Sequence, residues 1–350
     1  MQSLNTALIA MSGGIDSSVT AFLMREQGYG CVGATMQLFE AAVGGAVEDA
    51  RNAAYLLGMP FHVLDFKESF AEEVTERFVN AYINGITPNP CVDCNRFIKF
   101  GKLFKSAAEL GCYYIATGHY ARICQANGRY LLQKGADIKK DQSYVLYNLK
   151  QEQLSRVRFP LGELTKPEVR KIAEEHSLVN AGKRESQDIC FIPDGDYAAY
   201  IEKYTGRTFP EGDFVDAEGN ILGRHKGIIR YTNGQRRGLG LALREPMYVR
   251  SKNVEANTVT ICKGAQLYTG SLTARDINLI ALEKISGRLR VKARVRYNQG
   301  EQPATVEQTG ADGFHVEFDA PQRAVTAGQA VVLYDGDGGG IVIGGGTIVS

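Results

Sequence analysis

Thr6–Gly28 reads TALIAMSGGIDSSVTAFLMREQG, and the order of residue types in it decides the fold of the first part of the chain. The apolar run Thr6–Met11 has the length and composition of a buried strand. Ser12, Gly13 and Gly14 then predict a sharp turn, because glycine accepts positive φ and lets the backbone approach a ligand closely. A helix is expected to begin near Asp16 and to run over Ser17–Gln27. Successive N–H groups in such a turn form an anion nest, and the helix N-terminus adds partial positive charge. The hydroxyls of Ser17 and Ser18 are expected to supply further donors. The stretch therefore predicts a phosphate cradle, although it lacks the lysine of a Walker loop and the three-glycine spacing of a dinucleotide fingerprint.

Working outward, strand patterns recur at Cys31–Met36, Phe61–Asp65 and Tyr113–Thr117. Helical patterns lie over Val47–Leu57, Glu68–Asn84 and Phe97–Leu110. Strands alternating with helices predict right-handed βαβ units and a parallel sheet, with ligands at the carboxyl ends of the strands. Further along, Tyr120–Cys124 and Arg129–Gln133 predict a hairpin turning at Asn127-Gly128. Lys166–His176 predicts a helix with Pro167 in its first turn. From about Thr208 the chain is glycine-rich with short β-like runs. The expected fold class is α/β, with a parallel-sheet domain over 1–207. A small β-rich central domain would follow over 208–270, and a C-terminal β-barrel-like domain over 271–350.

The chain has 350 residues, 44% hydrophobic and 23% charged, with net charge +1, so no global field announces a polyanionic partner. Charge is uneven, however. Leu222–Lys252 holds eight Lys/Arg and one Glu, and Ala281–Arg296 holds six Lys/Arg and one Glu. Both are candidate phosphate-contacting surfaces, although solvated strand faces explain such composition more often. The apolar N-terminal run is short, lacks a basic leader and passes straight into the glycine turn. No run approaches the ~20 apolar residues of a bilayer span. A cytoplasmic protein without membrane association is expected. Its seven cysteines then point to buried thiols, redox chemistry or metal rather than a disulfide scaffold.

Thr87–Phe100 reads TPNPCVDCNRFIKF. Its two prolines predict an extended loop, with Cys91 and Cys94 as a Cys-x-x-Cys pair just before a helix. A helix N-terminus, with Arg96 and Lys99 nearby, is expected to lower the thiol pKa. A third cysteine of interest stands in Ser186-Gln187-Asp188-Ile189-Cys190-Phe191. Cys31, Cys112, Cys124 and Cys262 sit in strand-like contexts and are expected to pack.

Ser12–Ser18 resembles the PP-loop of ATP pyrophosphatases, which cut ATP between the α- and β-phosphates and adenylate a substrate. AMSGGIDSS, NPCVDCNRFIKF, ATGHYAR, KKDQSYVLYNL, SQDICF, GQRRGLG and GQAVVLYDGD, in that order, together resemble the bacterial tRNA-specific 2-thiouridylases. The resemblance implies a PP-loop (adenine nucleotide α-hydrolase-like) fold, and adenylation of O2 of a wobble uridine followed by replacement of that oxygen with sulfur. It implies that Ala10, Met11, Ser12, Gly13, Gly14, Ile15, Asp16, Ser17, Met36 and Gly118 hold ATP, with Asp16 aiding Mg²⁺. It implies that Cys190 carries a persulfide and that Cys94 resolves it, leaving a Cys94–Cys190 disulfide. Asn89, Pro90 and Cys91 would lie near the target base. His119, Lys140, Asp141, Gln142, Arg296, Tyr297 and Gln329 would contact tRNA. A sulfur-donor protein, either a cysteine desulfurase or a persulfide relay protein, is the further implied partner.

The chain departs from many family members in having Cys91 where they have Asp. Cys91, Cys94 and Cys190 together could instead ligate a [4Fe–4S] cluster that delivers the sulfur. The segment QLFEAAVGGAVEDAR after Met36 is also shorter than the usual family insertion. The competing readings are another PP-loop ligase or amidotransferase and a non-catalytic, nucleotide-regulated RNA-binding module.

Overall fold

A computed structural model describes residues 3–40, 45–178 and 189–350. The first strand, β1 (Ser3–Ala10), leads through the glycine turn into α1 (Ile15–Glu26). Next come β2 (Gly30–Gln37), α2 (Ala46–Leu56) and β3 (Phe61–Asp65). A composite helix follows, α3, made of Lys67–Phe70, a π-helical segment Ala71–Glu76, and Arg77–Ile83. A second composite helix, α4, joins Pro90–Asp93, the π-helical Cys94–Lys102 and Leu103–Glu109. It leads to β4 (Cys112–Ala116) and to the hairpin of β5 (Ala121–Ala126) and β6 (Arg129–Lys134). Asn127 and Gly128 both have positive φ, as a two-residue hairpin turn requires. The short helix α5 (Gln151–Arg156) and the edge strand β7 (Val157–Arg158) complete the sheet, whose order is β3-β2-β1-β4-β7. Every pairing in it is parallel. Ala7, Leu8 and Ile9 of β1 are fully buried, because helices cover both faces of a parallel sheet.

Helices α6 (Lys166–Glu175) and α7 (Tyr197–Thr205) follow. The central sheet, ordered β10-β11-β8-β9, comprises β8 (Gly212–Val215), β9 (Ile221–His225), β10 (Met247–Asn253) and β11 (Thr258–Lys263). Its core residues Phe214, Val249 and Ile261 pack with Ala198 and Ile201 of α7 and with Phe70, Val74 and Phe78 of α3. One apolar core thus runs from the first domain into the second.

The last six strands close a barrel in the order β12-β15-β14-β13-β16-β17, which leaves no free sheet edge. They are β12 (Tyr268–Leu279), β13 (Arg288–Arg294), β14 (Gln302–Gln308), β15 (Gly313–Arg323), β16 (Ala330–Asp335) and β17 (Val342–Ile348). Two arginines of the basic run Ala281–Arg296 are ion-paired on the barrel surface. Arg288 of β13 pairs with Glu317 of β15, and Arg290 pairs with Asp319 at 2.7 Å, across the intervening β14.

The structure corrects the sequence reading at the second proline. Pro88 lies in extended chain, but Pro90 occupies the first turn of α4, and the Asn89 side chain accepts from the Cys91 N–H at 3.2 Å. Proline has no N–H to lose in a first turn, and asparagine is a strong cap. The helix therefore starts at Pro90 rather than near Phe97, and it includes Cys91 and Cys94. Among the cysteines expected to pack, Cys31, Cys112 and Cys262 are buried, whereas Cys124 is exposed.

Candidate active site

The glycine turn lies at the carboxyl end of β1. Gly13 has φ +73°, and a Cβ there would stand 2.4 Å from the carbonyl oxygen of Ala46 at the start of α2. Only glycine lets these two backbones meet. The Ser17 hydroxyl donates to the Gly14 carbonyl at 2.9 Å and accepts from the Ser12 N–H at 3.2 Å. The Ser18 hydroxyl donates to the same carbonyl at 3.2 Å. These hydroxyls brace the loop instead of standing free as phosphate donors.

Asp16 also departs from its expected role. Lys166 Nζ donates to both of its carboxylate oxygens at 2.8 Å, and Tyr120 donates its hydroxyl to Oδ1 at 2.8 Å. Lys166 is buried in the first turn of α6, which a Thr165–Glu168 capping box sets. A carboxylate engaged on both oxygens by an ammonium is not a ready Mg²⁺ ligand. Mg²⁺ therefore does not fit this carboxylate while Lys166 holds both of its oxygens.

The segment after β4 joins the loop to the thiols. Gly118 packs over α1, where an added Cβ would sit 3.0 Å from Asp16 Cβ. Its neighbour His119 turns the other way. Nδ1 lies 2.6 Å from the Thr117 hydroxyl and Nε2 lies 3.4 Å from Lys99 Nζ. Phe100 and Phe159 wall the ring. Burial, aided by the Lys99 ammonium, holds the His119 pKa well below its ordinary value, so the ring is neutral. With Lys99 donating to Nε2, the proton sits on Nδ1 and Thr117 accepts it.

Lys99 lies on α4, which also carries Cys91 and Cys94. Burial raises the Cys94 thiol to about 12, against the pull of Lys99. Burial raises Cys91 and Cys190 too, although both reach solvent along one side. This reverses the expectation of lowered thiol pKa values: desolvation outweighs the helix terminus and the cation. Arg96, expected to help, is bonded to Asp276 of the barrel instead. Cys94 feels the charges of Cys190 and Cys91, so the three thiols share one region. Among the described residues no three His, Cys, Asp or Glu side chains converge as a metal-binding group. Ser186, Gln187 and Asp188 lie outside the described residues, as do residues 41–44 of the short segment after Met36.

Several residues expected at tRNA make their side-chain bonds inside the protein. Asp141 is buried and accepts from the Gly135 and Ser143 N–H groups and from the Ser143 hydroxyl. Gln142 accepts from the Tyr120 N–H, and the Tyr297 hydroxyl donates to the Asp141 carbonyl. Arg296 donates to the carbonyls of Asn233 and Ala324 and to Thr326 Oγ1, tying the central domain to the barrel. Gln329 donates to the carbonyls of Thr87 and Pro88. Pro90 is buried, Lys140 and Met36 are half-buried, and Cys91 is exposed. Arg236 and Arg237 are exposed and have no ion-pair partner among the described residues, and they line a cavity of about 600 Å³ together with Arg230 and Arg296.

Three family models match in order. The tRNA methyl transferase HUP domain covers residues 5–194, the tRNA methyl transferase PRC-barrel domain 198–263 and the aminomethyltransferase beta-barrel domain 269–348. A tRNA-specific 2-thiouridylase MnmA of Clostridioides difficile is 47% identical over 97% of each chain. That of Carboxydothermus hydrogenoformans is 49% identical over 97% of this chain and 96% of the other. The chain belongs to the tRNA-specific 2-thiouridylase family. As a 2-thiouridylase it is an enzyme, a sulfurtransferase of PP-loop fold. The U34-tRNA thiolase NcsA from Methanococcus maripaludis, solved with its [4Fe–4S] cluster, covers 58% of this chain and 68% of its own. Its identity is 19% and its TM-score 0.36, too remote to bear on the sulfur route.

Four residues of this candidate site were not singled out from sequence for the contacts they make: Lys166, Tyr120, Thr117 and Lys99. Lys166 precedes Pro167 at a helix start, where a lysine is usually solvated. Only its depth beneath the PP-loop distinguishes it. No local pattern carries that information.

Proposed function

We propose that the protein uses ATP to replace O2 of the wobble uridine of tRNA with sulfur. The acceptor set would be that for Lys, Glu and Gln, and the reaction would take place in the cytoplasm. One observation carries the reading. Gly118 and Tyr120 touch Asp16 of the PP-loop while His119, between them, touches Lys99 of the cysteine-bearing helix. A nucleotide and a nucleophilic sulfur can therefore act on one base. In this reading the loop 10–17 and Gly118 hold ATP, and uracil O2 attacks the α-phosphorus, expelling pyrophosphate. The terminal sulfur of a Cys190 persulfide attacks C2, and AMP leaves with the former O2. The Cys94 thiol, its proton passing to solvent, attacks Sγ of Cys190. That step breaks the S–S bond, leaves 2-thiouridine, and forms a Cys94–Cys190 disulfide that an external dithiol must reduce. A persulfide-bearing donor protein reloads Cys190. Asn89, Pro90 and Cys91 would face the base.

A wobble base is already single-stranded, so presenting it to a pocket is cheap. Cys190→Ser tests the scheme. Sulfur incorporation into tRNA must vanish while tRNA binding persists. Retained thiolation sinks the Cys190 role, and a wild-type protein that binds tRNA without thiolating it favours the non-catalytic alternative.

A further inference from the structure

The barrel reaches back to the loop that starts the cysteine helix. Gln329 Nε2 donates to the carbonyls of Thr87 at 2.8 Å and Pro88 at 3.1 Å. The Thr87 N–H donates to the Ala327 carbonyl at 3.3 Å. Gly328 between them has φ +87°, and a Cβ there would stand 2.2 Å from Ile86 Cγ2. Two turns of chain, 86–88 and 327–329, are thus pressed together with no room for a side chain. Just past Cys94 in the same helix a second contact to the barrel forms, with Arg96 bonded to Asp276 of β12.

Pro88 and Pro90 flank Asn89, so this stretch has few N–H groups of its own with which to hold a shape. Its carbonyls are fixed from outside, by one amide side chain. That side chain is half-buried, and both of its N–H groups have acceptors inside the protein.

We propose that Gln329 is a positioning residue: through the Thr87 and Pro88 carbonyls it sets the Asn89–Cys94 turn, so that the C-terminal barrel braces the thiol helix. This rests on the sulfur-transfer reading only for its effect on rate. The geometry of the brace stands without it.

The test uses the full chain and three variants: Gln329→Ala, Gln329→Glu, which sets an acceptor against two acceptors, and Gly328→Ala, which wedges the turns apart. Hydrogen exchange is measured at the Thr87, Asn89 and Cys91 amides, together with tRNA affinity and the single-turnover thiolation rate at saturating tRNA. The expected result is at least tenfold faster exchange at Thr87 and Cys91 in all three variants. For Gln329→Ala, tRNA affinity should stay within about twofold and the single-turnover rate should fall at least tenfold. A tenfold loss of tRNA affinity with unchanged loop exchange overturns the proposal and makes Gln329 a direct RNA contact. Unchanged exchange with unchanged affinity also overturns it. Should wild-type protein not thiolate at all, the sulfur-transfer reading fails, and the exchange data still decide the brace.

Discussion

Lys166→Met is the sharpest test of how the PP-loop is held. Lys166 is 6% exposed in its side chain and bonds both carboxylate oxygens of Asp16, which is 32% exposed. Removing one partner of a fully buried ion pair costs about 3–5 kcal/mol. Asp16 is about a third open to water and keeps the Tyr120 hydroxyl at 2.8 Å, so part of that cost is recovered. The expected loss is ~2 kcal/mol, which for a domain of this size corresponds to a fall of roughly 4–8 °C in melting temperature. Scanning calorimetry of wild type, Lys166→Met, Asp16→Asn and the double variant gives the coupling directly. The double variant should be more stable than the sum of the two single losses, because it leaves no charge stranded. Added ATP should raise the wild-type midpoint and raise that of Lys166→Met much less. A Lys166→Met midpoint within 1 °C of wild type, or strictly additive losses, refutes the reasoning.

Gly13→Ala forces a Cβ to within 2.4 Å of the Ala46 carbonyl and holds an L-residue at φ +73°. The left-handed conformation alone costs about 1–2 kcal/mol, and ATP should no longer shift the melting curve. Replacing Arg236 and Arg237 together with alanine should lower tRNA affinity and flatten its salt dependence by about two phosphate contacts. An unchanged slope removes both from the interface. The Cys94 thiol, held at about 12 against an ordinary 9.0, adds stability that is complete below about pH 9 and lost as pH rises through 12. The melting-temperature gap between wild type and Cys94→Ala should therefore shrink from pH 9 upward. A gap that widens contradicts the burial of that thiol.

The parallel sheet was legible because its strands are short apolar runs punctuated by Gly, and because Ser12-Gly13-Gly14 can do little but turn. The hairpin at Asn127-Gly128 was legible for the same local reason. The start of α4 was not, since Pro88 and Pro90 look alike in sequence and only the Asn89 cap separates an extended proline from a first-turn one. Thiol acidity was misread because a helix terminus and nearby cations are visible in sequence, whereas the desolvation that outweighs them depends on packing from α7, β2 and the segment around Ile189. The fate of Arg288 and Arg290 was hidden likewise: their acidic partners, Glu317 and Asp319, arrive from another strand. Lys166 escaped notice because its burial arises from a 150-residue separation to Asp16.

The contact between Gln329 and Thr87 spans 242 positions of chain, and that between Arg96 and Asp276 spans 180. At ~5–20 residues per second the ribosome needs roughly 10–50 s to make the first interval. During that time the strands β1, β2, β3, β4 and β7 have all emerged, so the nucleotide-binding sheet can assemble on the nascent chain. The thiol helix cannot yet receive its outside support, because Gln329 is made 242 positions after Thr87. A message broken before codon 327 thus yields a chain with the sequence to cradle a phosphate and no barrel to set its cysteines. The order of synthesis acts as a checkpoint: the barrel has to arrive before the cysteine helix far upstream of it is held from outside.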